Sequence, residues 1–177
     1  MKRYILTGAP GAGKTTIARL LAKQGIETVP EAATDIIAEE QARGVKEPWT
    51  HPVFIEKIAQ LQERRISAAT HAVQFHDRSP ICCYVLAKYL DHSIPKNLQV
   101  LLEHMATERL FENKAFFIES LGFIEKTDAR RISLKEADQF GALHAEIYQS
   151  FGFELVPIAP GDPNARTEAI MSAVAGL

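Results

Sequence analysis

The sequence predicts an α/β fold, a three-layer α/β/α sandwich built around a five-stranded parallel sheet. Short apolar segments rich in β-branched residues alternate with helical segments five times, which is typical of parallel sheets covered by helices on both faces. The chain has 177 residues and is 46% hydrophobic, which suits one domain with a substantial core. We therefore expect residues 1–177 to form a single domain.

The composition argues against several classes of partner and location. A net charge of −2 and a pI near 6.3 give no basic footprint for nucleic acid. No uncharged apolar run approaches the ~18 residues of a membrane span, and the first strand starts at once, so we expect neither a membrane anchor nor a signal peptide. The adjacent Cys82 and Cys83 suit neither a disulfide nor a metal site. We expect them to be small core residues on a helix, in a cytoplasmic protein.

The strongest motif follows the first predicted strand (about 3–7) and reads Gly8-Ala9-Pro10-Gly11-Ala12-Gly13-Lys14-Thr15. It fits G-x-x-x-x-G-K-[ST], the phosphate-binding P-loop or Walker A motif. A helix is predicted directly after it, over about 14–24, and Gly25 is placed to end that helix. The motif therefore has the strand, loop and helix context that phosphate binding needs.

Each residue type in this loop serves phosphate binding. The glycines allow positive φ and a close approach of backbone N–H groups to phosphate oxygens. The following helix adds unpaired N–H donors and the positive end of its dipole. Lys14 supplies a charge for the β- and γ-phosphates, and the Thr15 hydroxyl can bind Mg²⁺. The expected nucleotide-binding residues are Gly8, Ala9, Pro10, Gly11, Ala12, Gly13, Lys14, Thr15 and Thr16.

Two acidic residues follow predicted strands. Strand two (26–29) leads to Glu31, and strand three (72–76) leads to Asp77 and Arg78. Ligands of open parallel sheets lie at the carboxyl ends of the strands, so both carboxylates are placed for chemistry. Asp77 is a candidate Mg²⁺ ligand of the Walker B type, and Arg78 could neutralise a phosphate or orient an acceptor. Asp35 follows Glu31 by one helical turn and could share its face.

Simpler structural roles remain open for these residues. Glu31 could only stabilise the positive N-terminus of the helix predicted over about 32–43. Asp77 and Arg78 could form a surface ion pair at a turn. Their position at the ends of neighbouring strands favours a functional role.

A loop and a long helix follow, with three residues that could recognise a planar ligand. Trp49 lies in the loop from 44 to 52 and either stacks on an acceptor or closes an edge of the core. Gln60 and Gln62, on a helix predicted over 53–70, could hydrogen-bond a base. We favour a solvated helix face for both glutamines.

The second half of the chain adds strand four (115–118) and strand five (154–158), with a helix predicted before them over about 95–112. The segment at about 119–133 is charged and shows no clear periodicity of apolar residues, so we expect a closing lid there. Its Arg130 and Arg131 could stabilise the charge that develops on a transferred phosphoryl group. A basic solvated loop is the alternative.

Capping residues define the remaining helices. Ser79 precedes a helix predicted over about 80–91, and a capping box at Ser133 starts another that runs to about 151 with Phe151 facing inward. Asp162 is expected to cap the last helix. The loop at 159–163 is of a kind that contacts a nucleotide base.

With these motifs in place, the chain resembles the nucleoside and nucleotide kinase branch of P-loop proteins, and small AAA-domain sequences akin to nicotinamide riboside kinase domains. Deoxynucleoside kinases carry Glu-Arg-Ser after strand three and a glutamate after strand two, and Asp77-Arg78-Ser79 and Glu31 look similar in place. Thymidylate kinases carry Asp-Arg at the same point. The resemblance implies the strand order 2-3-1-4-5. The chain departs from it in the lid, where Arg130 and Arg131 are adjacent rather than spaced.

The resemblance implies in-line transfer of the γ-phosphoryl group of Mg·ATP, or of Mg·GTP, to a small acceptor that carries a hydroxyl or phosphate group, such as a nucleoside or nucleotide. Thr15 and Asp77 would hold Mg²⁺, and Glu31, or less favourably Asp77, would accept the hydroxyl proton. The residues assigned to catalysis are Lys14, Glu31, Asp77, Arg78, Arg130 and Arg131.

Two other classes of protein are compatible with the motif. A regulatory NTPase would hydrolyse nucleotide slowly and act through a protein partner, although the Asn-Lys-x-Asp base motif of G proteins is absent from the sequence. A non-catalytic nucleotide-binding subunit would have no need to keep Lys14, Thr15 and Asp77 together. The identity of the acceptor stays open, as does the choice between a monomer and a homodimer.

Overall fold

The computed structural model describes residues 1–123 and 133–175. Its strands are β1 (Lys2–Thr7), β2 (Glu27–Val29), β3 (Val73–Asp77), β4 (Lys114–Ile118) and β5 (Glu154–Ile158). Its α-helices are α1 (Lys14–Lys23), α2 (Ala33–Ala42), α3 (Val53–Ala68), α4 (Pro80–Tyr89), α5 (Lys96–Thr107), α6 (Leu134–Ser150) and α7 (Pro163–Ala175). A short 3₁₀ helix spans Pro48–Thr50.

All five strands pair in parallel, in the order β2-β3-β1-β4-β5. The predicted fold class and the strand order implied by the resemblance are both confirmed. The central strand β1 lies between β3 and β4, and its Leu6 pairs with Asp77 of β3. The carboxyl ends of β1 and β3 therefore place the P-loop beside Asp77.

Helices cover both faces of the sheet. Residues of α1 and α7 pack on one face around the buried rings of Tyr4, Phe75 and Phe116, of which the first two stack with centroids 5.3 Å apart. Residues of α2 to α6 pack on the other face, in the larger of the two apolar clusters. The sheet and the helices on each of its faces form the three predicted layers, with one apolar cluster between the sheet and each helix layer. No helix in residues 1–123 or 133–175 is long and apolar enough to cross a membrane.

The predicted local signals hold at several helix ends. Gly25 ends α1 with φ of +82°, a conformation that glycine adopts without strain. Ser133 and Glu136 form the expected capping box, and the Asp162 carboxylate accepts hydrogen bonds from the first N–H groups of α7. Cys82 and Cys83 are free, buried residues of α4, as predicted.

Two predicted details are wrong. Helix α5 ends at Thr107 instead of 112, because the chain turns through Arg109, which has φ of +48°. Phe151 lies beyond the end of α6 and is 37% exposed. The inward face of α6 instead carries His144 and Tyr148, both fully buried. Apolar spacing alone did not identify these polar residues as core positions.

A buried histidine on β3 makes the stability of this fold sensitive to acid. His76 is 1% exposed and packs edge-on against Phe111. Burial, with the charge of Arg3, lowers the pKa of its imidazole to about 3. In the unfolded chain the group takes up a proton near its ordinary pKa of ~6.5, whereas in the folded protein it stays neutral down to about 3.

We therefore expect the free energy of unfolding to fall between pH 6.5 and 3, with His76 contributing a slope of ~1.4 kcal/mol per pH unit. Urea unfolding of the wild-type protein and of His76→Gln, at several pH values in this window, measures the contribution. The variant should lose stability less steeply on acidification. Equal slopes for the two proteins would contradict the prediction.

Candidate functional site

The P-loop passes tightly over the end of β4. It leaves β1 at Gly8, and Gly8, Gly11 and Gly13 have φ of +125°, +81° and +93°. A Cβ atom on Gly8 would lie 2.4 Å from the carbonyl oxygen of Ile118, which is far inside van der Waals contact. The glycine at this position is therefore required both by its backbone angles and by the neighbouring strand.

The side chain of Lys14 lies within the loop. It is 6% exposed, and its Nζ donates to the carbonyl oxygens of Gly8 at 3.2 Å and Ala9 at 2.7 Å. Burial, with the charge of Arg78, lowers the pKa of the ammonium group to about 7. The loop carbonyls thus offset only part of the cost of burying the charged form of Lys14.

The Thr15 hydroxyl and the Asp77 carboxylate form the second feature of the site. Thr15 Oγ1 donates to Asp77 Oδ2 at 2.7 Å. Asp77 is 2% exposed, and its other oxygen, Oδ1, has no hydrogen-bond partner among the described residues. Burial and the nearby charge of Glu31 raise the pKa of the Asp77 carboxyl group.

These two residues fit a hydrated Mg²⁺ ion. A buried carboxylate oxygen without a partner is unfavourable unless a cation or water satisfies it. Mg²⁺ is commonly bound by one or two protein oxygens and keeps several water ligands. Within residues 1–123 and 133–175, no group of three or more His, Cys, Asp or Glu side chains could hold a metal ion. The oxygen-only pair of Thr15 and Asp77 is a candidate position for such an ion.

Glu31 and Arg78 form a short ion pair, with 2.6 Å between Glu31 Oε1 and Arg78 Nε. Thr34 donates to the other carboxylate oxygen of Glu31 at 3.1 Å. Burial acts to raise the pKa of Glu31, but the charges of Arg78 and Lys14 and these hydrogen bonds hold it below its ordinary value. The pair lines the cavity as an ionised carboxylate beside a fixed guanidinium group.

Arg78 is fixed from three sides. Its backbone has φ of +77°, which is rare for a residue with a side chain, and its N–H donates to the carbonyl oxygen of Leu6. Its Nη1 lies 3.2 Å from His144 Nε2, while Nδ1 of the same ring lies 2.8 Å from the Phe140 carbonyl oxygen. A carbonyl only accepts, so Nδ1 carries the proton and Nε2 accepts from Arg78.

His144 is thus a member of the site that the sequence analysis did not identify. It is completely buried, and burial with the adjacent charge of Arg78 holds its pKa well below the ordinary value. The imidazole is therefore neutral and can act as an acceptor. Its only signal in the sequence was a position one helical turn after the inward-facing Phe140.

Asp35 follows Glu31 by one helical turn, but it does not line the cavity that Glu31 lines. It forms an ion pair with Arg65 of α3 and its side chain is 57% exposed. Arg65 Nη1 also donates to the carbonyl oxygens of Pro30 at 3.1 Å and Glu31 at 2.6 Å. Asp35 therefore helps to hold the backbone that carries Glu31, through Arg65.

A cavity of about 720 Å³ joins the P-loop to an apolar chamber. Its polar end contains Lys14, Thr15, Glu31 and Arg78. Many of the other lining side chains are aromatic or aliphatic; they include Ile37, Trp49, Phe54, Ile58, Leu86, Tyr89, Leu90 and Phe140. Trp49 packs at the edge of the core, as one of the two interpretations predicted, and it also lines the cavity.

Gln62 was wrongly predicted to be solvated. It is 6% exposed, its Oε1 accepts a hydrogen bond from Cys83 Sγ at 3.0 Å, and it lines the cavity. Gln60, two residues earlier on α3, is exposed as predicted. The helix turns Gln60 away from the core and Gln62 toward it, which the spacing of apolar residues on α3 did not resolve.

The predicted lid lies mainly outside the described residues. Arg130 and Arg131 belong to that part of the chain, so the structure gives no position for either. Leu121 and Phe123, which lie just before the undescribed residues 124–132, line the cavity. Glu136, which lies after them, also lines it. Phe123 is 59% exposed.

A family model described as an AAA domain matches residues 3–166. The chain belongs to this AAA-domain family. No curated protein sequence is significantly similar to it.

Solved structures similar to this AAA-domain protein have the fold of P-loop kinases. A deoxyadenosine kinase from M. mycoides with bound dATP is 18% identical, with a TM-score of 0.63 over 99% of this chain and 100% of that one. A NadR protein in complex with NAD and AMP-PNP is 18% identical, with a TM-score of 0.67 over 97% of this chain and 49% of that one. Shikimate kinase from Acinetobacter baumannii in complex with shikimate is 14% identical, with a TM-score of 0.59 over 99% and 94%. At these identities the similarity establishes the fold.

The close contact at Gly8 predicts a large effect of adding a single methyl group. Gly8→Ala should destabilise the protein by more than about 2 kcal/mol, because the new Cβ meets backbone atoms of β4 that cannot move aside. Gly25→Ala is the matched control: Gly25 also has positive φ, but a Cβ there meets nothing within 4 Å. It should lose only the roughly 1–2 kcal/mol of left-handed backbone strain. Urea unfolding compares them, and equal losses would contradict the assignment of the clash.

Proposed function

We propose that this AAA-domain protein is a P-loop kinase that transfers the γ-phosphoryl group of ATP to a small acceptor with a planar ring and a hydroxyl or phosphate group, such as a nucleoside or nucleotide. The observation that carries the proposal is one cavity of the described structure, which is lined by the P-loop and also by several aromatic and aliphatic side chains. A pure hydrolase needs room only for nucleotide and water. The apolar part of this cavity, next to the phosphate site, favours a transferase.

The polar end supports the donor half of the reaction. Backbone N–H groups of the loop and of the first turn of α1, with the Lys14 ammonium group, would hold the triphosphate. Thr15 and Asp77 would hold Mg²⁺, which supplies charge neutralisation on the phosphate oxygens when bound. Phosphoryl transfer depends mainly on positioning and on such electrostatic stabilisation.

Glu31 and Arg78 are placed to act on the transferred group and the acceptor. The ionised Glu31 carboxylate would accept the hydroxyl proton as the acceptor oxygen attacks phosphorus. The Arg78 guanidinium uses Nε for Glu31 and Nη1 for His144, and no described residue bonds Nη2. That nitrogen is available for an equatorial oxygen of the moving phosphoryl group, where negative charge develops.

The apolar chamber supports a ring-bearing acceptor. Trp49, Phe54 and Tyr89 supply flat apolar surfaces, on which a planar ring packs favourably. The Gln62 amide adds a group that both donates and accepts hydrogen bonds, as the edge of a nucleobase requires. Of the similar structures, the deoxyadenosine kinase holds dATP and the NadR protein holds NAD, and both ligands contain such rings.

The proposed function is tested by nucleotide consumption with Mg·ATP and Mg·GTP across nucleosides, nucleotides, ribosylated vitamins and non-aromatic polyols. We expect release of ADP to rise at least ~tenfold with one class of ring-bearing acceptor, with a phosphorylated product detectable by mass spectrometry. Lys14→Ala should abolish this release. Slow release that no acceptor changes would reject the kinase and favour the regulatory NTPase.

Two glutamines on α3 give a matched pair for the acceptor chamber. Gln62→Met should raise the KM for the acceptor about tenfold with little change in the KM for ATP, because only the chamber loses a polar contact. Gln60→Met changes the same residue type on the exposed face of the helix and should behave as the wild type. An unchanged acceptor KM in Gln62→Met would remove Gln62 from the acceptor site.

The metal assignment predicts opposite effects on stability and on nucleotide binding. Asp77→Asn replaces a buried carboxyl group whose ionisation is disfavoured by burial and by the charge of Glu31. We expect the metal-free variant to be as stable as the wild type or slightly more stable. Binding of ATP in the presence of Mg²⁺ should weaken about tenfold, while binding in EDTA should change little. Calorimetric titration with and without Mg²⁺ measures this. The same loss of affinity in EDTA would contradict a metal role.

A further inference from the structure

We propose that Arg166 is a positioning residue of the phosphate site: it fixes the peptide between Ala12 and Gly13 so that the Gly13 N–H faces bound phosphate, and it adds a buried positive charge behind the loop. The ligand class is a nucleoside di- or triphosphate. The inference rests on the nucleotide binding proposed above and concerns a residue far from the P-loop in sequence.

Arg166 lies on α7 and joins three segments of the chain. It is 5% exposed. Its Nη1 donates to the Ala12 carbonyl oxygen at 2.7 Å, and its Nη2 donates to the carbonyl oxygens of Glu119 at 2.9 Å and Ile158 at 3.3 Å. One guanidinium group therefore ties the P-loop to the carboxyl ends of β4 and β5.

The contact with Ala12 orients a phosphate-binding donor. A trans peptide is planar, and its carbonyl oxygen and N–H point in opposite directions. Because the Ala12 oxygen is held toward Arg166, the N–H of Gly13 points away from Arg166. Gly13 lines the cavity, whereas Arg166 does not. Arg166 Nη1 also lies 3.3 Å from the point where a Gly13 Cβ would stand, so the guanidinium packs directly behind this residue.

The charge of Arg166 is poorly compensated. Among the described residues, no carboxylate lies within ion-pair distance of it, and its Nε has no hydrogen-bond partner. Burial lowers its pKa, and the charge of Glu119 offsets this only in part. A buried cation that only carbonyl dipoles stabilise is unfavourable by itself. An anion bound in front of Gly13 would compensate it through a region from which water is excluded.

Arg166 therefore differs from Lys14 in position and in task. Lys14 lies inside the loop, where it can move to contact phosphate oxygens directly. Arg166 is held by three carbonyls behind the loop and does not line the cavity. It would act on the ligand only through the orientation of the Gly13 N–H and through the electrostatic field of its own positive charge.

The test compares ATP binding by the wild type, Arg166→Met, Arg166→Lys and Arg19→Met. Arg166→Met keeps most of the side-chain length but removes the charge and all donors, and Arg166→Lys keeps the charge without the forked geometry. Arg19 is an exposed residue of α1, so Arg19→Met is a control for loss of one charge near the loop. Circular dichroism and thermal unfolding define a temperature at which every variant is folded.

We expect Arg166→Met to raise the Kd of ATP about tenfold or more, Arg166→Lys to raise it about threefold, and Arg19→Met to leave it unchanged. A role in folding alone would lower the unfolding temperature without changing the Kd of the folded protein. Wild-type affinity in both Arg166 variants would overturn the inference. If Arg166→Met does not fold, Arg166→Lys decides the question by the same criterion.

A second readout reports on Gly13 itself. The chain has ten glycines, so a ¹⁵N-glycine-labelled sample gives a simple amide spectrum. Addition of ADP should shift the Gly13 resonance strongly in the wild type and weakly in Arg166→Lys. Equal shifts would overturn the positioning role. Failure of the wild type to bind any nucleotide would instead reject the proposed function, and this inference with it.

Discussion

The candidate site depends on the parallel pairing of β1 with β3. This pairing sets Leu6 opposite Asp77, so that two segments more than sixty residues apart in sequence end at the same edge of the sheet. The P-loop follows β1. Asp77 is the last residue of β3, and Arg78 comes directly after it. A strand pairing displaced by one residue would turn Asp77 toward the opposite face of the sheet. The Thr15–Asp77 hydrogen bond and the Glu31–Arg78 ion pair both need the register that is observed.

The site gathers two basic side chains and two carboxyl groups, and it leaves Lys14 and Asp77 incompletely satisfied. Lys14 rests on loop carbonyls, Asp77 keeps one oxygen without a partner in the described structure, and Glu31 and Arg78 neutralise one another. Groups arranged only for stability would be paired or replaced by apolar residues. The unsatisfied positions are those that a phosphate group and a metal ion would complete, which is how a preorganised binding site differs from a packed core.

Sequence reasoning succeeded where the signal is local. The P-loop, the capping box at Ser133 and the turn at Gly25 each depend on a few adjacent residues, and each lies where it was predicted. Local signals also predicted the five strands. Their order in the sheet came from the resemblance to kinases, because the residues of a strand do not indicate which strand it pairs with.

The residues that were missed acquire their roles through tertiary contacts. Gln62, His144 and Arg166 are polar residues on helices, and the sequence around them gives little to distinguish them from solvated neighbours. Their partners are Cys83, Arg78 and the Ala12 carbonyl group, which lie 21, 66 and 154 residues away. Burial at these positions is a property of the assembled layers, so only the folded arrangement could identify them.

The left-handed backbone at Arg78 has a consequence for how this site can be dissected by mutagenesis. Arg78→Ala would remove the guanidinium group, but it would also retain the unfavourable φ of +77° without the side-chain contacts that help to hold it. Glycine relieves the backbone while removing the charge, and lysine retains the charge while keeping the backbone strained. The three substitutions change conformational and electrostatic energy in different combinations. Only their comparison separates what the side chain contributes from what its anchored main chain contributes.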